Sequence, residues 1–285
     1  MAVRIFSDST CDLGKELTER YSVTIIPLCV VMGEKSYYDG EEIGQEEIFK
    51  WADENKTTPK TAAVTAERLE GAVKPVLDAG DEVILFTIAS GMSSTYNLAQ
   101  IYSEDNGNGH MHVVDSANLS TGIGLLVIKA AEMAAAGSSA EEIVKKMNEL
   151  IPYVRASFVI DTLTYLARGG RCSSAAALLA GTLKLHPEIV VKGGAMGADK
   201  KYRGTLAGAI GKYTHDLEET LKNADPDRVF ITHTLQEKDR PIVDETRKYL
   251  ESLGIFKEIL ETRAGGVISS HCGPGTLGVL FIEKH

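Results

Sequence analysis

The sequence is poor in cysteine, and its few cysteines follow no metal-binding or disulfide spacing. Among 285 residues only Cys11, Cys29, Cys172 and Cys272 occur, and no two of them form a CxxC pair. A structural zinc site draws on closely spaced thiolates, and a disulfide framework is typical of short secreted chains. We therefore expect neither, and the cysteine content favours a reduced, intracellular setting.

Long apolar runs and an excess of basic charge are also lacking. The chain opens MAVRIFSDST, without an apolar signal core, and its longest apolar stretch, residues 122–137, is interrupted by Lys129 and Glu132. The 30 Lys and Arg residues are outnumbered by 40 Asp and Glu residues, which gives a formal net charge of -10. Such a surface repels phosphate backbones. These features predict a soluble cytoplasmic protein with no transmembrane segment and no nucleic-acid partner.

What the sequence does contain is a regular alternation of strand-length and helix-period segments. Its 44% hydrophobic and 25% charged residues are ordinary for a globular protein, and its length suits two modest domains. Strands are predicted at residues 3–6, 25–31, 83–89, 112–115, 157–160, 228–232 and 277–282, and helices at 13–21, 67–78, 94–104, 122–136, 140–150, 173–180, 205–223 and 239–253. The alternation predicts an α/β fold with at least one largely parallel sheet.

The most favourable domain boundary is the Ile151-Pro152-Tyr153 joint that follows the predicted helix pair. We therefore expect an N-terminal α/β domain over 1–153 and a C-terminal α/β domain over 154–285.

Two strand ends carry polar side chains at the edge where open α/β sheets bind their ligands. The first strand leads into Ser7-Asp8-Ser9-Thr10, and the strand over 83–89 leads into Ser90-Gly-Met-Ser-Ser-Thr95 with a helix beginning near Ser93. The first turn of a helix offers unpaired amides and the positive end of its dipole. The serines therefore favour binding of a carboxylate or phosphate, although Ser, Thr and Asp also serve as ordinary turn and cap residues.

The C-terminal stretch 265–279 contains a histidine that could serve a site. Its glycine-rich pattern predicts strand, turn and strand, with His271 at a strand end. Neighbouring residues of a strand point to opposite faces, so Cys272 is expected to face away from any ligand of His271. Arg168 and Arg171 flank a Gly-Gly pair. They either bind a carboxylate or a partner protein, or they connect loops within the domain.

A serine hydrolase is the alternative function that these residues leave open. Ser93 would be its nucleophile, His271 its base and Asp115 the residue that orients the base, in the chain order of α/β hydrolases. Against this reading, the sharp turn of a G-x-S-x-G elbow needs glycine where this chain has Thr95.

Six blocks in order along the chain resemble the DegV family of bacterial fatty acid-binding proteins, the lipid-carrying subunits of fatty acid kinase. The blocks are FSDSTCDL, the Val-Thr-Ile-Ile-Pro-Leu strand with Tyr-Asp-Gly, SGMSSTY, VVDS, LARGGR and HCGPGTLGV. The resemblance implies a parallel-sheet N-terminal domain and a mixed-sheet C-terminal domain that enclose one long-chain fatty acid. A separate ATP-dependent kinase would phosphorylate the carboxylate, so the chain itself would be non-catalytic and need no cofactor or metal.

The resemblance also implies roles for individual residues. Thr61, Ser93 and His271 match residues that bind the carboxylate, and Arg203 falls where the family has a basic residue that engages the kinase. Ser9, Ser94 and Gly273 are expected to support the carboxylate site. The block Thr61-Ala-Ala-Val-Thr65 lacks the Ser, Gln and Pro usual in the family, so the loop around Thr61 departs from the family's pattern. A monomer that associates transiently with its kinase is expected.

Overall fold

The structure is a computed structural model that describes residues 1–172, 174–175 and 185–284. Over these residues the strands form one four-stranded, one three-stranded and one six-stranded sheet. The four-stranded sheet, from the N-terminal half, is parallel throughout. The six-stranded sheet, from the C-terminal half, joins one parallel strand pair to antiparallel pairs. The predicted α/β class, with an N-terminal parallel-sheet domain and a C-terminal mixed-sheet domain, is confirmed.

The described strands follow one another along the whole chain. They are β1 (Val3–Asp8), β2 (Thr24–Ile26), β3 (Cys29–Met32), β4 (Lys35–Tyr38), β5 (Lys60–Ala62), β6 (Glu82–Thr87), β7 (Met111–Asp115), β8 (Val154–Val159), β9 (Leu185–Lys192), β10 (Ala195–Arg203), β11 (Ala224–His233), β12 (Glu258–Arg263) and β13 (Leu277–Glu283). The sheet orders are β2-β1-β6-β7, β4-β3-β5 and β10-β9-β8-β13-β11-β12.

The described helices lie between these strands. They are α1 (Gly14–Arg20), α2 (Gln45–Asn55), α3 (Ala66–Asp78), α4 (Thr95–Asn106), α5 (Thr121–Ala135), α6 (Ala140–Leu150), α7 (Thr164–Gly169), α8 (Leu206–Asp216), α9 (Glu218–Leu221), α10 (Arg240–Ser252) and α11 (Gly266–Cys272). In the part of the chain that the structure describes, no helix has both the length and the apolar character needed to cross a bilayer.

Most of the predicted helices lie close to observed ones, although α2 and α7 were not predicted. The helix predicted over 140–150 is α6, which Ser139 begins with a capping box to Glu142. The helix predicted over 205–223 divides into α8 and α9. The one predicted over 173–180 lies outside the described residues except for 174–175. The predicted boundary at 153 falls in a 3-10 turn, Ile151–Tyr153, between α6 and β8 and remains a prediction.

The single strand predicted over 25–31 is wrong. The chain instead forms β2 and β3, separated by Pro27 and Leu28. β2 pairs with β1 of the parallel sheet, whereas β3 pairs with β4 and β5. Proline has no N–H to donate to a ladder, so the chain leaves one sheet at Pro27 and enters the next.

Helix α5 joins the two halves into one core. It is buried along most of its length, as expected for a helix that is apolar on every side, and it packs against β1, β8 and β13. Its one lysine, Lys129, reaches Asp225 and Asp227 at 2.9 and 3.0 Å. One hydrophobic cluster therefore continues from Ile5 of the parallel sheet to Leu280 of the mixed sheet.

The strand predicted around His271 is also wrong. Residues Gly266–Cys272 form a helix, α11, with His271 in its last turn. This helix comes from the C-terminal half but packs against α2, β3 and β5 of the N-terminal half. A segment of the second half thereby lies beside the loops at the carboxyl ends of the parallel strands, where open α/β sheets bind their ligands.

Candidate functional site

A cavity of about 290 Å³ lies between these loops and α11. This volume is at the lower end of the range found for small-molecule sites, roughly 300–1,000 Å³. Its described lining is apolar except for a group of residues that we call the polar corner: Thr61, Ser93, Ser94, Arg171 and His271. The apolar lining consists of Leu28, Ala62, Ala63, Ile88, Met92, Leu119, Met196, Val267, Ile268 and Cys272.

Thr61 and His271 meet directly in the polar corner. The Thr61 Oγ1 and His271 Nε2 atoms are 2.8 Å apart, although the residues are 210 positions apart in sequence. Thr61 is held by its pairing with Val30 in the three-stranded sheet, and His271 by the last turn of α11. If Nε2 carries the ring proton, the ring donates to Thr61 and leaves the threonine hydroxyl free to donate to a ligand oxygen.

His271 is held as a neutral ring. Burial, assisted by the positive charge of Arg171, lowers the pKa of His271 from 6.5 to about 4, so the imidazole is uncharged at pH 7. Its buried Nδ1 has no hydrogen-bond partner among the described residues. The polar corner therefore offers His271 as a polar group that hydrogen-bonds without supplying a full charge.

Gly169 explains how the ring fits. A Cβ atom added at Gly169 would lie 2.2 Å from His271 Nδ1, closer than real Cβ contacts come, and 3.0 Å from Cε1. Gly169 ends α7, and its carbonyl accepts a hydrogen bond from Arg171 Nη1 at 2.7 Å. Gly169, the first glycine of the pair between the arginines, thus leaves space for the imidazole, a role that sequence reasoning missed.

Ser93 lies in the loop between β6 and α4. Its Oγ accepts from Thr95 N at 3.2 Å and lies 3.0 Å from Thr95 Oγ1. Thr95 Oγ1 in turn accepts from Val64 N at 3.3 Å, which links the loop of Ser93 to the loop after Thr61. Ser94, at the N-cap position of α4, makes no side-chain cap hydrogen bond, whereas Ser93 accepts from the first amide of the helix and also lines the cavity.

Arg171 connects two loops through hydrogen bonds to backbone carbonyls. Its Nη1 donates to Gly169 O at 2.7 Å and its Nε is 3.5 Å from Met92 O. These bonds connect the loop after α7 with the loop before α4, and the side chain still lines the cavity. Arg168 is exposed and does not line it.

Two of the three supporting residues lie away from the described lining. Ser94 lines the cavity, but Ser9 and Gly273 do not. Ser9 donates to Asp39 Oδ2 at 2.8 Å and accepts from Leu28 N at 3.1 Å. The Gly273 carbonyl accepts from Thr234 Oγ1 at 2.7 Å, and a Cβ at Gly273 would lie 2.7 Å from the Tyr165 ring. Both residues have structural contacts of their own.

The expectation that Cys272 faces away from the ligand of His271 is also wrong. It depended on an extended backbone, and in α11 consecutive residues are only about 100° apart around the axis. Cys272 and His271 consequently both line the cavity. Burial raises the pKa of the Cys272 thiol, which keeps it protonated and poorly nucleophilic.

The residues of the hydrolase alternative do not assemble. Asp115 Oδ1 accepts from Ser90 N and Ala117 N, at 3.2 and 2.9 Å. The hydrogen bond found for the His271 ring within the described residues goes to Thr61, and that of the Ser93 hydroxyl goes to Thr95. A nucleophile, base and orienting carboxylate in hydrogen-bond sequence are thus not present, and no observation favours this function.

The comparisons with known proteins agree on one family. The model of the DegV family, described as uncharacterised proteins, matches residues 2–284. A DegV domain-containing protein from Caldanaerobacter subterraneus is 33% identical over 286 residues, which cover 99% of each chain.

Two similar solved structures have fatty-acid ligands in their descriptions. A DegV family protein from Thermus thermophilus, described for its fatty acid binding, has a TM-score of 0.91 and 29% identity, with 100% of both chains covered. A stearic acid-binding protein from Eubacterium ventriosum has a TM-score of 0.84 and 30% identity, with 100% of this chain and 99% of the other covered.

Proposed function

The chain belongs to the DegV family, and from that premise we propose that it binds one long-chain fatty acid in the cavity between its halves. The carboxylate is bound by Thr61, Ser93 and His271, and the acyl tail lies along the apolar lining. The observation that carries the proposal is a cavity with one polar corner, in which Thr61 and His271 meet at 2.8 Å, and apolar side chains elsewhere.

The two parts of the ligand contribute differently to affinity. A tail of roughly 16 carbons, buried at ~0.8 kcal/mol per methylene, gives a gross gain of about 12 kcal/mol, from which the costs of association are subtracted. A carboxylate removed from water loses strong hydration. Hydroxyl donors and the nearby Arg171 offset that loss and fix the direction of the head group.

Ligand extraction tests this proposal. Protein expressed in bacteria, denatured and examined by mass spectrometry, is expected to release about one C14 to C18 fatty acid per chain. Delipidation is expected to lower the melting temperature, because a ligand that binds only the folded state stabilises it. A protein that carries no acid, and whose melting temperature is unchanged by delipidation and by added palmitate, would contradict the proposal.

We further propose that the chain acts in the cytoplasm as a non-catalytic carrier that presents the bound carboxylate to a separate fatty acid kinase. In this role residues 1–153 supply most of the head-group loops, and residues 154–285 close over the acyl chain. The chain needs no cofactor of its own, and we expect a monomer that meets the kinase transiently through Arg203.

The setting of Arg203 supports a docking role. Arg203 is the last residue of β10, is exposed, and its side chain makes no hydrogen bond or ion pair with the residues that the structure describes. Among its basic neighbours, Lys200 pairs with Asp216 at 3.2 Å, whereas Lys201 is exposed and, within the described residues, has no ion pair either. An unengaged guanidinium on a protein of net charge -10 is available to an acidic partner surface.

Replacement of Arg203 separates docking from binding. Arg203→Ala is expected to leave fatty-acid loading and the melting temperature unchanged, since an exposed substitution shifts stability by at most ~0.5 kcal/mol. Acyl-phosphate formation by the cognate kinase is expected to fall severalfold, most at low salt. Lys145→Ala, which removes an exposed charge from α6, is the matched control. Equal kinase rates for both variants and wild type would exclude Arg203 as the docking residue.

A further inference from the structure

Helix α11 supplies a wall of the cavity but lacks an N-terminal cap of its own. Four of its seven residues, Val267, Ile268, His271 and Cys272, line the cavity. The residue at its N-cap position is Gly265, which has no side chain to accept from the first amides. A helix this short is unstable in isolation, so its position depends on what holds its first turn.

Two carboxylates from the N-terminal half hold that turn. Asp39 Oδ1 accepts from Gly266 N at 2.6 Å, and Asp39 also receives the Val267 amide. Asp12 Oδ1 accepts from Gly265 N at 2.8 Å. The side chains are 3% and 5% exposed, respectively, and both line a separate cavity together with Gly265. Asp39 lies 227 residues before Gly266 in the sequence and performs the work of an N-cap residue.

The carboxylates are themselves fixed by hydroxyl groups. Ser9 donates to Asp39 Oδ2 at 2.8 Å, and Ser120 donates to Asp12 Oδ2 at 2.6 Å. Burial raises the pKa of both carboxyl groups, while the hydroxyl and amide donors act in the opposite direction. An oxygen of either carboxyl accepts from the helix in any protonation state, so the contact does not require a full charge.

The glycines at the start of α11 match this arrangement. A Cβ at Gly266 would lie 2.8 Å from Asp39 Oδ1, and one at Gly265 would lie 3.0 Å from Asp12 Oδ1. The carboxylates approach this closely because both side chains are absent. The glycine pair and the aspartate pair therefore form one unit, which joins the first strand and hairpin of the chain to the helix that bears His271.

We propose that Asp39, assisted by Asp12, is a positioning residue that sets the location of His271 in the polar corner by capping α11 from the other half of the molecule. Asp39 does not touch the ligand. Its effect on ligand affinity depends on the proposed fatty-acid binding, whereas its effect on the His271 ring does not.

The test compares Asp39→Ala with Asp39→Asn in the full-length protein. Asp39→Ala removes the acceptor, so we expect at least a tenfold loss of palmitate affinity and a clear displacement of the His271 ring ¹H–¹³C NMR signals in the ligand-free protein. Asp39→Asn keeps an oxygen acceptor and is expected to retain wild-type His271 signals and an affinity within about threefold of wild type.

The matched control is Glu188→Ala. Glu188 is another buried carboxylate, 4% exposed, that accepts from Tyr202 at 3.2 Å on the mixed sheet and does not line the cavity. We expect it to lower the melting temperature without displacing the His271 signals. If Asp39→Ala fails to fold, Gly266→Ala is the second variant. Its methyl group would push Asp39 away from the first turn of α11, so it should displace the same His271 signals.

Several results would overturn the inference. Wild-type His271 signals in both Asp39→Ala and Gly266→Ala would do so, and so would equal displacement in Glu188→Ala, because His271 would then respond to general loosening of the fold. If wild-type protein binds no palmitate, the proposed function fails, but the His271 signals of these variants still decide whether Asp39 positions the ring.

Discussion

Gly169→Ala is expected to weaken fatty-acid binding by tenfold to over a hundredfold while leaving the protein folded. The new methyl group would lie 2.2 Å from His271 Nδ1, and the ring can move away only by giving up its 2.8 Å contact with Thr61. Without that contact the Thr61 hydroxyl is no longer directed at the carboxylate, and losing its hydrogen bond to a charged acceptor in a dry site costs roughly 1.5–3 kcal/mol, which corresponds to that range of affinity. Titration with palmitate after delipidation measures the change.

Gly170→Ala is the matched control for this prediction. Gly170 has φ +68° and an added Cβ there meets nothing within 4 Å. The substitution costs about 1–2 kcal/mol of stability through the left-handed conformation but does not reach His271. If Gly169→Ala binds palmitate as tightly as Gly170→Ala, then the orientation of the His271 ring is not what holds the carboxylate.

The periodicity of the sequence predicted much of the regular fold but missed α2, β9, β10 and β12. The ends of α6 were predicted correctly because Ser139 and Glu142 form a complete local signal. Helix α11 was not predicted, since it has only seven residues and its cap, Asp39, lies more than 200 residues away. No local pattern encodes a cap supplied from another domain, so a glycine-rich run was assigned to a strand and turn.

The residues of the candidate site were likewise predicted only in part. Ser93 and His271 were singled out from the sequence pattern and Thr61 through the family resemblance, and the structure brings all three to one cavity. The apolar lining comes from residues such as Leu28, Leu119 and Met196 that are far apart in sequence and have the composition of any core. Their shared surface exists only after the sheets and α11 have packed together, so it leaves no signal in sequence order.

Leu119→Trp is expected to change which acids the protein holds. Leu119 is 3% exposed and lines the cavity, so a larger ring at this position takes space that the acyl tail would fill. Displacing three to four methylenes forfeits about 3 kcal/mol of burial, or roughly a hundredfold in affinity. Bound C16 and C18 acids should therefore fall below about a tenth of the wild-type amount, and added C12 acids should bind in preference to palmitate.

Leu119→Met, a volume-conserving change that costs less than about 1.5 kcal/mol, serves as the control and should keep the wild-type ligands. Overpacking by tryptophan costs typically 1–3 kcal/mol, so melting temperatures of both delipidated variants must be compared with wild type before loss of ligand is interpreted. A folded Leu119→Trp protein that still carries C16 to C18 acids at wild-type occupancy would place the tail elsewhere. A shift toward short acids would instead locate the tail against Leu119, because a general loosening of the fold would weaken acids of every length alike.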